Sequence, residues 1–353
     1  MLINKLIICR SDDRIYAFAY SVDKLVFVTE DFSTIHSESI FRGKITKLNL
    51  ANRSAFIEYL PGITGFINLP TKLNVQCGSI LPVQLTWLGD ENKQAKLRHN
   101  WCLVGKYMVY AGDKPVRIQA TQISQALRDK LTRMLTEFPV HWIVRSCVND
   151  ALDFDCVVAE MKLLYQQANA INASSSIFGQ IYSGLANYLK LIRALNLSDG
   201  CEIISNDKEI HQNLLEYQDL WQIDVLSFDP KLNATDLINQ YQDLLATKLV
   251  KLANGAVLEV NTVSGITIID INSSQLNLSN GKLNFLVLDA IYQQICLRNL
   301  QGIILLDLIK NMSELEQQQI INYLTKLFKY DITNTKVLGF SHSGLCEIIR
   351  NKF

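Results

Sequence analysis

Two aspartates stand inside apolar runs of the sequence, and they are the residues best placed to do chemistry. Asp270 lies in Gly-Ile-Thr-Ile-Ile-Asp-Ile-Asn, and Asp307 lies in Gly-Ile-Ile-Leu-Leu-Asp-Leu-Ile. The apolar runs predict buried strands, in which a carboxylate is costly unless a partner compensates its charge. Two neighbouring carboxylates also repel each other unless a cation lies between them.

A hard divalent cation such as Mg²⁺ is the usual partner, held by one or two carboxylates while water and substrate phosphate complete its shell. Asn272 follows Asp270 by two residues, and alternate residues of a strand share a face. Asp270, Asn272 and Asp307 therefore predict a small metal site of the kind that cuts phosphodiesters. The alternative for either aspartate alone is a strand-end cap or a partner for a nearby Lys or Arg.

The segment between the two aspartates predicts how they are positioned. Residues 284–299 carry apolar side chains at helical spacing, at Phe285, Leu288, Ile291, Ile295 and Cys296. A strand, a helix and a second strand form a right-handed crossover, so the two strands are expected to be parallel and neighbouring. Ligand sites form at the carboxyl ends of such strands.

Residues 35–104 carry a second candidate site. Five short strands are predicted here, over 40–48, 54–59, 64–69, 80–87 and 96–104, which favours a small β-barrel with the OB-fold as the natural candidate. Phe56 and Phe66 stand on successive strands, and Lys44, Lys47 and Lys93 supply positive charge. Aromatic rings with lysines on an OB-fold make a stacking platform for single-stranded nucleic acid. The alternative is that both rings belong to the core.

Residues 105–185 mix strands and helices. The strand predicted at Trp142-Ile-Val-Arg145-Ser146 ends in an arginine and a hydroxyl, and an amphipathic helix is predicted over 152–170. An arginine beside a hydroxyl can clamp a phosphate, because the guanidinium binds its oxygens bidentately. The alternative is a surface ion pair.

The rest of the chain predicts α/β structure. Residues 1–34 alternate like a β meander, residues 186–245 alternate helix and strand, and residues 246–353 form the domain of the two aspartates. A hairpin is predicted at Asn254-Gly255. The loop Ser273–Lys282 is rich in Asn and Ser, and we expect it to be mobile.

Composition restricts the classes of protein further. The 353 residues suffice for two or three domains, and 48% hydrophobic with 19% charged residues is typical of a soluble globular protein. The formal net charge is zero, which disfavours a large non-specific phosphate footprint but not a local basic groove.

The cysteine and histidine patterns predict the compartment. Eight scattered cysteines without a CxxC pair and five dispersed histidines predict a reducing cytoplasm and no structural zinc. No apolar run reaches the length of a membrane span, and the first residues are too short and interrupted for a signal peptide. We therefore expect a cytoplasmic protein that spans no membrane.

Several segments in the second half of the chain resemble the bacterial ribonuclease E/G family. Leu252-Ala-Asn-Gly-Ala-Val through Ile268-Ile-Asp-Ile-Asn-Ser273 is similar to the family's Gly-rich hairpin and its "IDxN" strand. Leu297-Arg-Asn-Leu-Gln-Gly-Ile-Ile-Leu-Leu-Asp307 resembles "LRxLGGxIxID", and Gly344-Leu-Cys-Glu-Ile348 resembles "GLxEM". Each segment alone is a weak signal, but their order and spacing together are specific.

The first half carries the resemblance as well, so it covers essentially the whole chain. The family's RNA-binding OB-fold is similar to Phe41-Arg-Gly-Lys-Ile-Thr46, Ala55-Phe56-Ile-Glu-Tyr59 and Gly65-Phe66-Ile67. The resemblance implies a multi-subdomain α/β and β fold. It comprises an RNase H-like subdomain in two parts (1–34 and 186–245), an inserted OB-fold (35–104), a 5′-sensor (105–185) and a DNase I-like catalytic subdomain (246–353).

The resemblance also implies roles for individual residues. Asp270 and Asp307 would hold a catalytic Mg²⁺, with Mn²⁺ as the other candidate, and Asn272 would orient the hydrolytic centre. The residues matched to RNA contacts are Phe56, Phe66 and Lys93. The residues matched to a pocket for a 5′-monophosphate are Gly105, Val109, Arg145 and Ser146.

The chain departs from the family pattern near the catalytic segments. No CPxC zinc segment follows the "GLxEM" stretch, so a zinc-linked dimer is not expected and the oligomeric state stays open. Lys310 takes the second acidic position of the family's "DFID" strand, while His342 and Cys296 replace arginines. The family's "NLEAA" helix start reads Asn284-Phe-Leu-Val-Leu288.

The sequence thus predicts a metal-dependent endoribonuclease for single-stranded RNA that leaves 5′-phosphate and 3′-hydroxyl ends. The first alternative is an RNA-binding protein on the same scaffold with weak or no cleavage, because charged groups near the metal site are lost. Retention of Asp270, Asn272 and Asp307 together argues against this alternative. The second is an unrelated α/β interaction protein, which would require the ordered motif series to be chance. The natural RNA substrate is left open.

Overall fold

Alternating apolar residues and tight turns build most of this chain into strands. The computed structural model describes residues 2–353 except 33, 72, 90–92, 113–115, 138–139, 273–279, 311, 330 and 352, and it does not describe the side chains of 280–282. The chain divides into two compact units. Unit 1 comprises Met1–Asp31, Ala194–Gln212 and Asp224–Phe353, and unit 2 comprises Phe32–Arg193 and Asn213–Ile223.

The strands and helices of the described residues are numbered in chain order. The strands are β1 (Ile3–Ser11), β2 (Arg14–Ser21), β3 (Lys24–Asp31), β4 (Ile40–Asn49), β5 (Ser54–Leu60), β6 (Ile63–Asn68), β7 (Ile80–Trp87), β8 (Ala95–Arg98), β9 (Leu103–Val104), β10 (Met108–Tyr110), β11 (Arg117–Ile118), β12 (Trp142–Val144), β13 (Gly179–Tyr182), β14 (Leu197–Ser205), β15 (Val225–Phe228), β16 (Leu249–Lys251), β17 (Val257–Val263), β18 (Ile266–Asn272), β19 (Gly302–Asp307), β20 (Thr335–Phe340) and β21 (Cys346–Arg350). The helices are α1 (Gln125–Glu137), α2 (Phe154–Ala173), α3 (Asn187–Ala194), α4 (Lys208–Gln218), α5 (Thr235–Ala246), α6 (Asn280–Leu297) and α7 (Glu314–Phe328).

Unit 1 contains a five-stranded sheet in the order β15-β14-β1-β2-β3. The first three strands of the chain form the antiparallel meander that the sequence predicts, while β1, β14 and β15 are parallel. One face of this sheet packs against α5, through Phe18 of β2 and through Ile238 and Tyr241 of the helix.

Unit 1 also contains a six-stranded sheet in the order β16-β17-β18-β19-β21-β20. Only β18 and β19 are parallel, because α6 forms the crossover between them, as the helical spacing predicts. One face of the sheet packs on α6 and α7 in an apolar core that includes Ile269, Leu306, Ile291 and Leu324. Ser313 and Glu316 form a capping box that fixes the start of α7.

Unit 2 contains a closed barrel. Its sheet has the order β13-β4-β5-β6-β8-β7, and β4 also pairs with β7, so five strands close on themselves while β13 adds to β4. The barrel interior is apolar, with Phe41, Ile57 and Leu85 fully buried. Five short strands closed in this way are consistent with the predicted OB-fold.

A four-stranded sheet in the order β11-β12-β10-β9 completes the strands of unit 2. The long helix α2 packs against β10, and its N-terminus is capped by the Asp153 carboxylate, which accepts a hydrogen bond from the backbone N–H of Asp155. Helix α1, which precedes β12, buries Leu131, Met134 and Leu135.

Two details differ from the expectations. The single strand predicted over 96–104 is two short strands, β8 in the barrel and β9 in the four-stranded sheet, because the chain turns at His99–Asn100. The loop predicted to be mobile at 273–282 lies mostly outside the described residues, and its last part is already the first turn of α6. The boundaries predicted for the individual subdomains remain predictions.

Candidate functional site

The two aspartates lie side by side in unit 1. Asp270 of β18 and Asp307 of β19 are direct partners in the register of the parallel pair. Neighbouring strands are about 4.8 Å apart, so the two carboxylates start from adjacent positions at the carboxyl ends of their strands. The crossover through α6 therefore brings together residues that are far apart in the sequence.

The sequence predicted that both carboxylates lie in buried strands. In the structure, both Asp270 and Asp307 are only half-buried. The apolar neighbours of Asp270 in the strand, Ile269 and Ile271, point into the core, whereas Asp270 itself is half-buried on the opposite face. Asp307 is half-buried on the same open face, while Leu306 beside it is fully buried. An open face lets water and substrate reach the carboxylates.

The Asp270 carboxylate is held in position by its own strand. The backbone N–H of Ile271 donates a 2.9 Å hydrogen bond to Oδ1, and the side-chain amide of Asn272 donates a longer one, 3.4 Å, to Oδ2. Asn272 is exposed on the face of Asp270, as the alternation predicts. The amide of Asn272 thus touches the carboxylate that it is expected to orient.

The donor set of this site fits a hard divalent cation. Two carboxylates and an amide oxygen are ligands that Mg²⁺ and Mn²⁺ accept, and Mg²⁺ commonly keeps several waters while one or two carboxylates bind it. In the part of the chain that the structure describes, no three His, Cys, Asp or Glu side chains converge as metal ligands. A metal ion bound here would therefore depend on the Asp270–Asp307 pair with water, rather than on a larger protein cage.

A third acidic residue, Glu259, extends the row and was not predicted from the sequence. Glu259 of β17 is the direct partner of Asp270 on the side away from Asp307, and it is half-buried on the same face. Its Oε1 accepts a 2.8 Å hydrogen bond from the amide of Asn261. The hairpin turn at Ser264–Gly265, where both residues have positive φ, sets this register and was the signal that could have found it.

Three of the residues that depart from the family pattern, Cys296, His342 and Lys310, lie in different environments. Cys296 of α6 is buried, and burial raises the pKa of its thiol to about 12, so it is an uncharged core residue. His342 is exposed in the turn between β20 and β21. Lys310 is exposed three residues after Asp307, where it brings a positive charge close in sequence to the carboxylates.

The barrel of unit 2 displays the predicted aromatic residues on its outer face. Phe56 of β5 and Phe66 of β6 are direct partners, and their ring centroids are 5.8 Å apart at an interplanar angle of 67°. Both are half-buried, while their strand neighbours Ala55, Ile57 and Ile67 fill the barrel. The alternative that both rings are core residues is therefore wrong, because each ring keeps an accessible face.

Lysines flank the two rings in the same register row, which we call the ring row: Lys47, Phe56, Phe66 and Lys96. The ammonium of Lys96 also lies 5.9 Å from the ring centroid of Trp87, its partner on β7. Lys96 was missed because its position depends on the parallel pairing of β6 with β8, which the sequence does not reveal.

Lys93, the lysine predicted to contact RNA, is exposed beside residues 90–92, which are outside the described residues. The described contacts do not place it in the ring row. Its assignment stays a prediction.

The four residues predicted to line a phosphate pocket belong to unit 2, and the structure brings two of them, Arg145 and Gly105, into contact. Nη1 of Arg145 donates hydrogen bonds to the carbonyl oxygens of Gly105 (2.7 Å) and Lys106 (3.0 Å). Val109 lies on β10 opposite Ile143, and Ser146 follows Arg145 as an exposed residue. Burial, with a smaller contribution from the cation of Arg193, lowers the pKa of the Arg145 guanidinium.

A buried carboxylate shapes the loop that Arg145 binds. Glu160 of α2 accepts hydrogen bonds from the backbone N–H groups of Lys106, Tyr107 and Met108, at 2.6 to 2.9 Å, and from the indole of Trp221. A Cβ at Gly105 would collide with this carboxylate, so the loop requires glycine there. The loop at 105–108 is therefore rigidly held, and the carbonyls that orient Arg145 are fixed.

None of the described helices is long and apolar enough to cross a bilayer.

Comparison with known proteins identifies relatives along most of the chain. The model of the ribonuclease E/G family matches residues 102–353. Ribonuclease G of Salmonella typhimurium (strain SL1344) is 22% identical over 362 residues, which cover 89% of this chain and 72% of that protein. A ribonuclease E/G-like protein of Porphyra purpurea is 23% identical over 94% of this chain and 71% of its own length. Ribonuclease G of Escherichia coli (strain K12) is 24% identical over 79% of this chain and 60% of its own length.

Proposed function

Because the chain belongs to the ribonuclease E/G family, we propose that it is a metal-dependent endoribonuclease that cleaves single-stranded RNA. The observation that carries the proposal is the register of Asp270 with Asp307 on the open face of the sheet. The ribonuclease G relatives support the reaction class. The products would carry 5′-phosphate and 3′-hydroxyl ends.

Asp270 and Asp307 would hold the metal ion. Mg²⁺ or Mn²⁺ bound there supplies a Lewis acid for the scissile phosphate and lowers the pKa of a bound water. The hydrogen bonds from the backbone of Ile271 and the amide of Asn272 orient the Asp270 carboxylate toward the open face. Without these bonds the carboxylate would adopt several rotamers, and the metal would be held less firmly.

Phe56 and Phe66 would stack unpaired bases, since their exposed faces offer the platform on which single strands bind. Lys93 would contact the RNA backbone. Arg145 and Ser146, with Gly105 and Val109 lining the pocket, would bind a 5′-monophosphate. Both hydrogen bonds that the described residues accept from the Arg145 side chain involve Nη1, which leaves Nη2 and Nε for phosphate oxygens.

One observation favours a second candidate function, an RNA-binding protein with weak or no cleavage. Lys310 carries its positive charge three residues after Asp307, where it would compete with a metal ion for the carboxylates. The cleavage assay below separates the two functions.

The experiment is cleavage of a short A/U-rich single-stranded RNA that bears a 5′-monophosphate. We expect cutting with Mg²⁺ and no cutting with a chelator. The Asp307→Asn variant should lose at least about a thousandfold in rate, because the carboxylate serves the metal. Asp243→Asn, an exposed carboxylate on α5, is the matched control and should cut at the parent rate.

Cutting by Asp307→Asn at the parent rate would show that the metal site is assigned to the wrong residues. RNA binding by the parent without any cutting would favour the RNA-binding function. In that case Lys310→Asp is the first variant in which to look for restored cleavage.

A further inference from the structure

The two carboxylates of the candidate metal site receive unequal support from the sheet. Asp270 has ladder partners on both sides, Glu259 on β17 and Asp307 on β19, and its own strand orients its carboxylate. Asp307 is the last residue of β19, and the pairing of β19 with β21 ends one residue earlier, at Leu306. The sheet therefore holds the backbone of Asp307 from one side only.

Asn284, near the start of α6, binds the chain directly after Asp307. Its Nδ2 donates a 2.9 Å hydrogen bond to the carbonyl oxygen of Ile309, and its Oδ1 accepts a 3.0 Å hydrogen bond from the backbone N–H of the same residue. The side-chain amide thus exchanges both hydrogen bonds with one residue, as a paired residue of a neighbouring strand does. Nδ2 also lies 3.0 Å from Sδ of Met312.

The surroundings of Asn284 make this contact rigid. Asn284 is fully buried, and the removal of one partner from a buried hydrogen bond leaves the other partner unsatisfied at a cost in free energy. Leu308 belongs to the apolar core under the sheet, and Ile309 and Met312 pack against it. The segment that leaves β19 is therefore held by the core and, through its backbone, by Asn284.

The contact lies at the end of the sheet that carries the metal site. Helix α6 follows β18 and precedes β19, so its first turns lie at the carboxyl ends of these two strands. Asn284 thus joins the start of the crossover to the chain two residues beyond Asp307. A shift of the Asp307 backbone would separate two carboxylates that must share one cation, and metal affinity depends on such positioning groups.

We propose that Asn284 is a positioning residue of the metal site, which holds Asp307 in register with Asp270 by binding the backbone of Ile309. The inference rests on the proposed function, because it assumes a divalent cation between the two carboxylates. Asn284 is buried and would touch neither the cation nor RNA. Its removal should therefore change the affinity for metal and leave the affinity for RNA unchanged.

The test is Mn²⁺ binding by the full chain without RNA, measured from the electron paramagnetic resonance signal of free Mn²⁺. Asn284→Ala removes both hydrogen bonds to Ile309 and should raise the Kd of Mn²⁺ about tenfold. The Mg²⁺ concentration that gives half-maximal cleavage should rise by a similar factor. Affinity for the A/U-rich RNA with a 5′-monophosphate, measured by anisotropy with a chelator, should stay at the parent value.

Gln294→Ala is the matched control, because Gln294 is a second buried amide of α6 and lies about 15 Å further along the helix. Its Oε1 accepts a 2.8 Å hydrogen bond from Nε of Arg298, so this variant also loses a hydrogen bond of the helix. It should bind Mn²⁺ like the parent.

A milder variant keeps the test decisive if Asn284→Ala does not fold, which circular dichroism would show. Asn284→Ser keeps a hydroxyl that can pair with one backbone group of Ile309. Its Kd for Mn²⁺ should lie between the values of the parent and of Asn284→Ala.

Parent-like Mn²⁺ affinity in folded Asn284→Ala, or in Asn284→Ser where the alanine variant does not fold, would overturn the proposal. An equal loss of Mn²⁺ affinity in Gln294→Ala would overturn it as well, since the loss would then come from general destabilisation of α6.

Failure of this inference can be told apart from failure of the proposed function. If Asp307→Asn weakens Mn²⁺ binding but the Asn284 variants do not, the metal site holds and the positioning role is wrong. If Asp307→Asn binds Mn²⁺ and cuts RNA like the parent, the metal site is wrong and the positioning role fails with it. Weaker Mn²⁺ binding by Asn284→Ala in a chain that never cuts RNA would support the positioning role and contradict the nuclease.

Discussion

The two six-stranded sheets of this protein present functional residues in the same way but with different chemistry. In unit 1 the open face carries Asp270 and Asp307 in register, with Glu259 beside them. In unit 2 the outer face of the barrel carries Phe56 and Phe66 in register. In each case the opposite face of the same strands is apolar and buried. A sheet of this kind fixes a row of side chains at regular spacing while its core face supplies the stability.

The difference between the rows lies in how they are assembled. The carboxylate row depends on a crossover through α6, so it joins residues that are distant in sequence. The two rings of the ring row lie on the two strands of one hairpin, so Phe56 and Phe66 are only ten residues apart. The first arrangement concentrates negative charge for a cation, and the second presents two aromatic rings, flanked by Lys47 and Lys96, for bases. We infer that substitutions in one row can abolish RNA cleavage without abolishing RNA binding, and the reverse.

The largest effect on RNA binding is expected at the rings. Phe56→Ala combined with Phe66→Ala should weaken binding of single-stranded RNA about tenfold to a hundredfold, because each ring stacks a base. Binding is measured by anisotropy, and cleavage at saturating RNA should remain. Phe32→Ala, which removes a ring that is 75% exposed outside the barrel strands, is the control. Unchanged RNA affinity in the double variant would show that the two rings do not contribute to RNA binding.

The second effect concerns the stability of unit 2. The guanidinium of Arg193 makes two hydrogen bonds with the Glu38 carboxylate, at 2.7 and 2.8 Å. Burial alone would raise the pKa of Glu38, but the charge and hydrogen bonds of Arg193 hold it below its usual value. Glu38→Gln should therefore lower the free energy of unfolding by about 3 kcal/mol at neutral pH.

The pH dependence of this loss follows from the direction of the pKa shift. A carboxyl with a lowered pKa stabilises the fold above its ordinary pKa, and this contribution is lost as the pH falls through the lowered value. The difference between parent and Glu38→Gln should thus shrink below about pH 4.

Urea unfolding followed by tryptophan fluorescence measures this difference, since all four tryptophans (87, 101, 142 and 221) belong to unit 2. Glu137→Gln, at the exposed end of α1, is the control. A difference between parent and Glu38→Gln that stays constant with pH would show that the ion pair is not its source.

The smallest effect is expected at the phosphate pocket. Arg145→Ala should slow cleavage of 5′-monophosphate RNA about tenfold, by loss of charge-assisted hydrogen bonds, and should leave 5′-hydroxyl RNA nearly unaffected. The rates of both substrates are compared with those of Arg133→Ala, an exposed arginine of α1. If Arg145→Ala slows both substrates equally, the role of the arginine is to stabilise the 105–108 loop and not to bind the 5′-phosphate of the RNA.

Part of this architecture could be read from local patterns. The helical spacing between the aspartates predicted α6, and with it the parallel pairing of β18 and β19. The strands of the barrel were predicted within one or two residues, because their alternation and turn residues are strong local signals. The strand predicted over 96–104 was wrong in part, since this stretch is divided between two sheets and only long-range pairing decides where one strand ends.

The same distinction between local sequence signals and long-range strand pairing applies to the candidate functional residues. Asp270 and Asp307 were found because a charge in an apolar run stands out, and Phe56 and Phe66 because they are aromatic on successive strands. Lys96 carries no such signal. The hairpin at Ser264–Gly265 could have indicated Glu259, but the positions of both residues depend on which residues face each other across strands. Asn49, Ser54 and Asn68 likewise form a row only when β4, β5 and β6 are in register.

The sequence by itself determined the elements, the family motifs and the residue types that chemistry needs, because these depend on local periodicity and composition. The tertiary structure decided which face of each strand is open and which side chains stand side by side. Strand alternation allows two faces, and packing of α6 and α7 on one of them leaves Asp270 and Asp307 on the other. Which face is buried is determined by the packing of the whole core and not by the preference of any single residue.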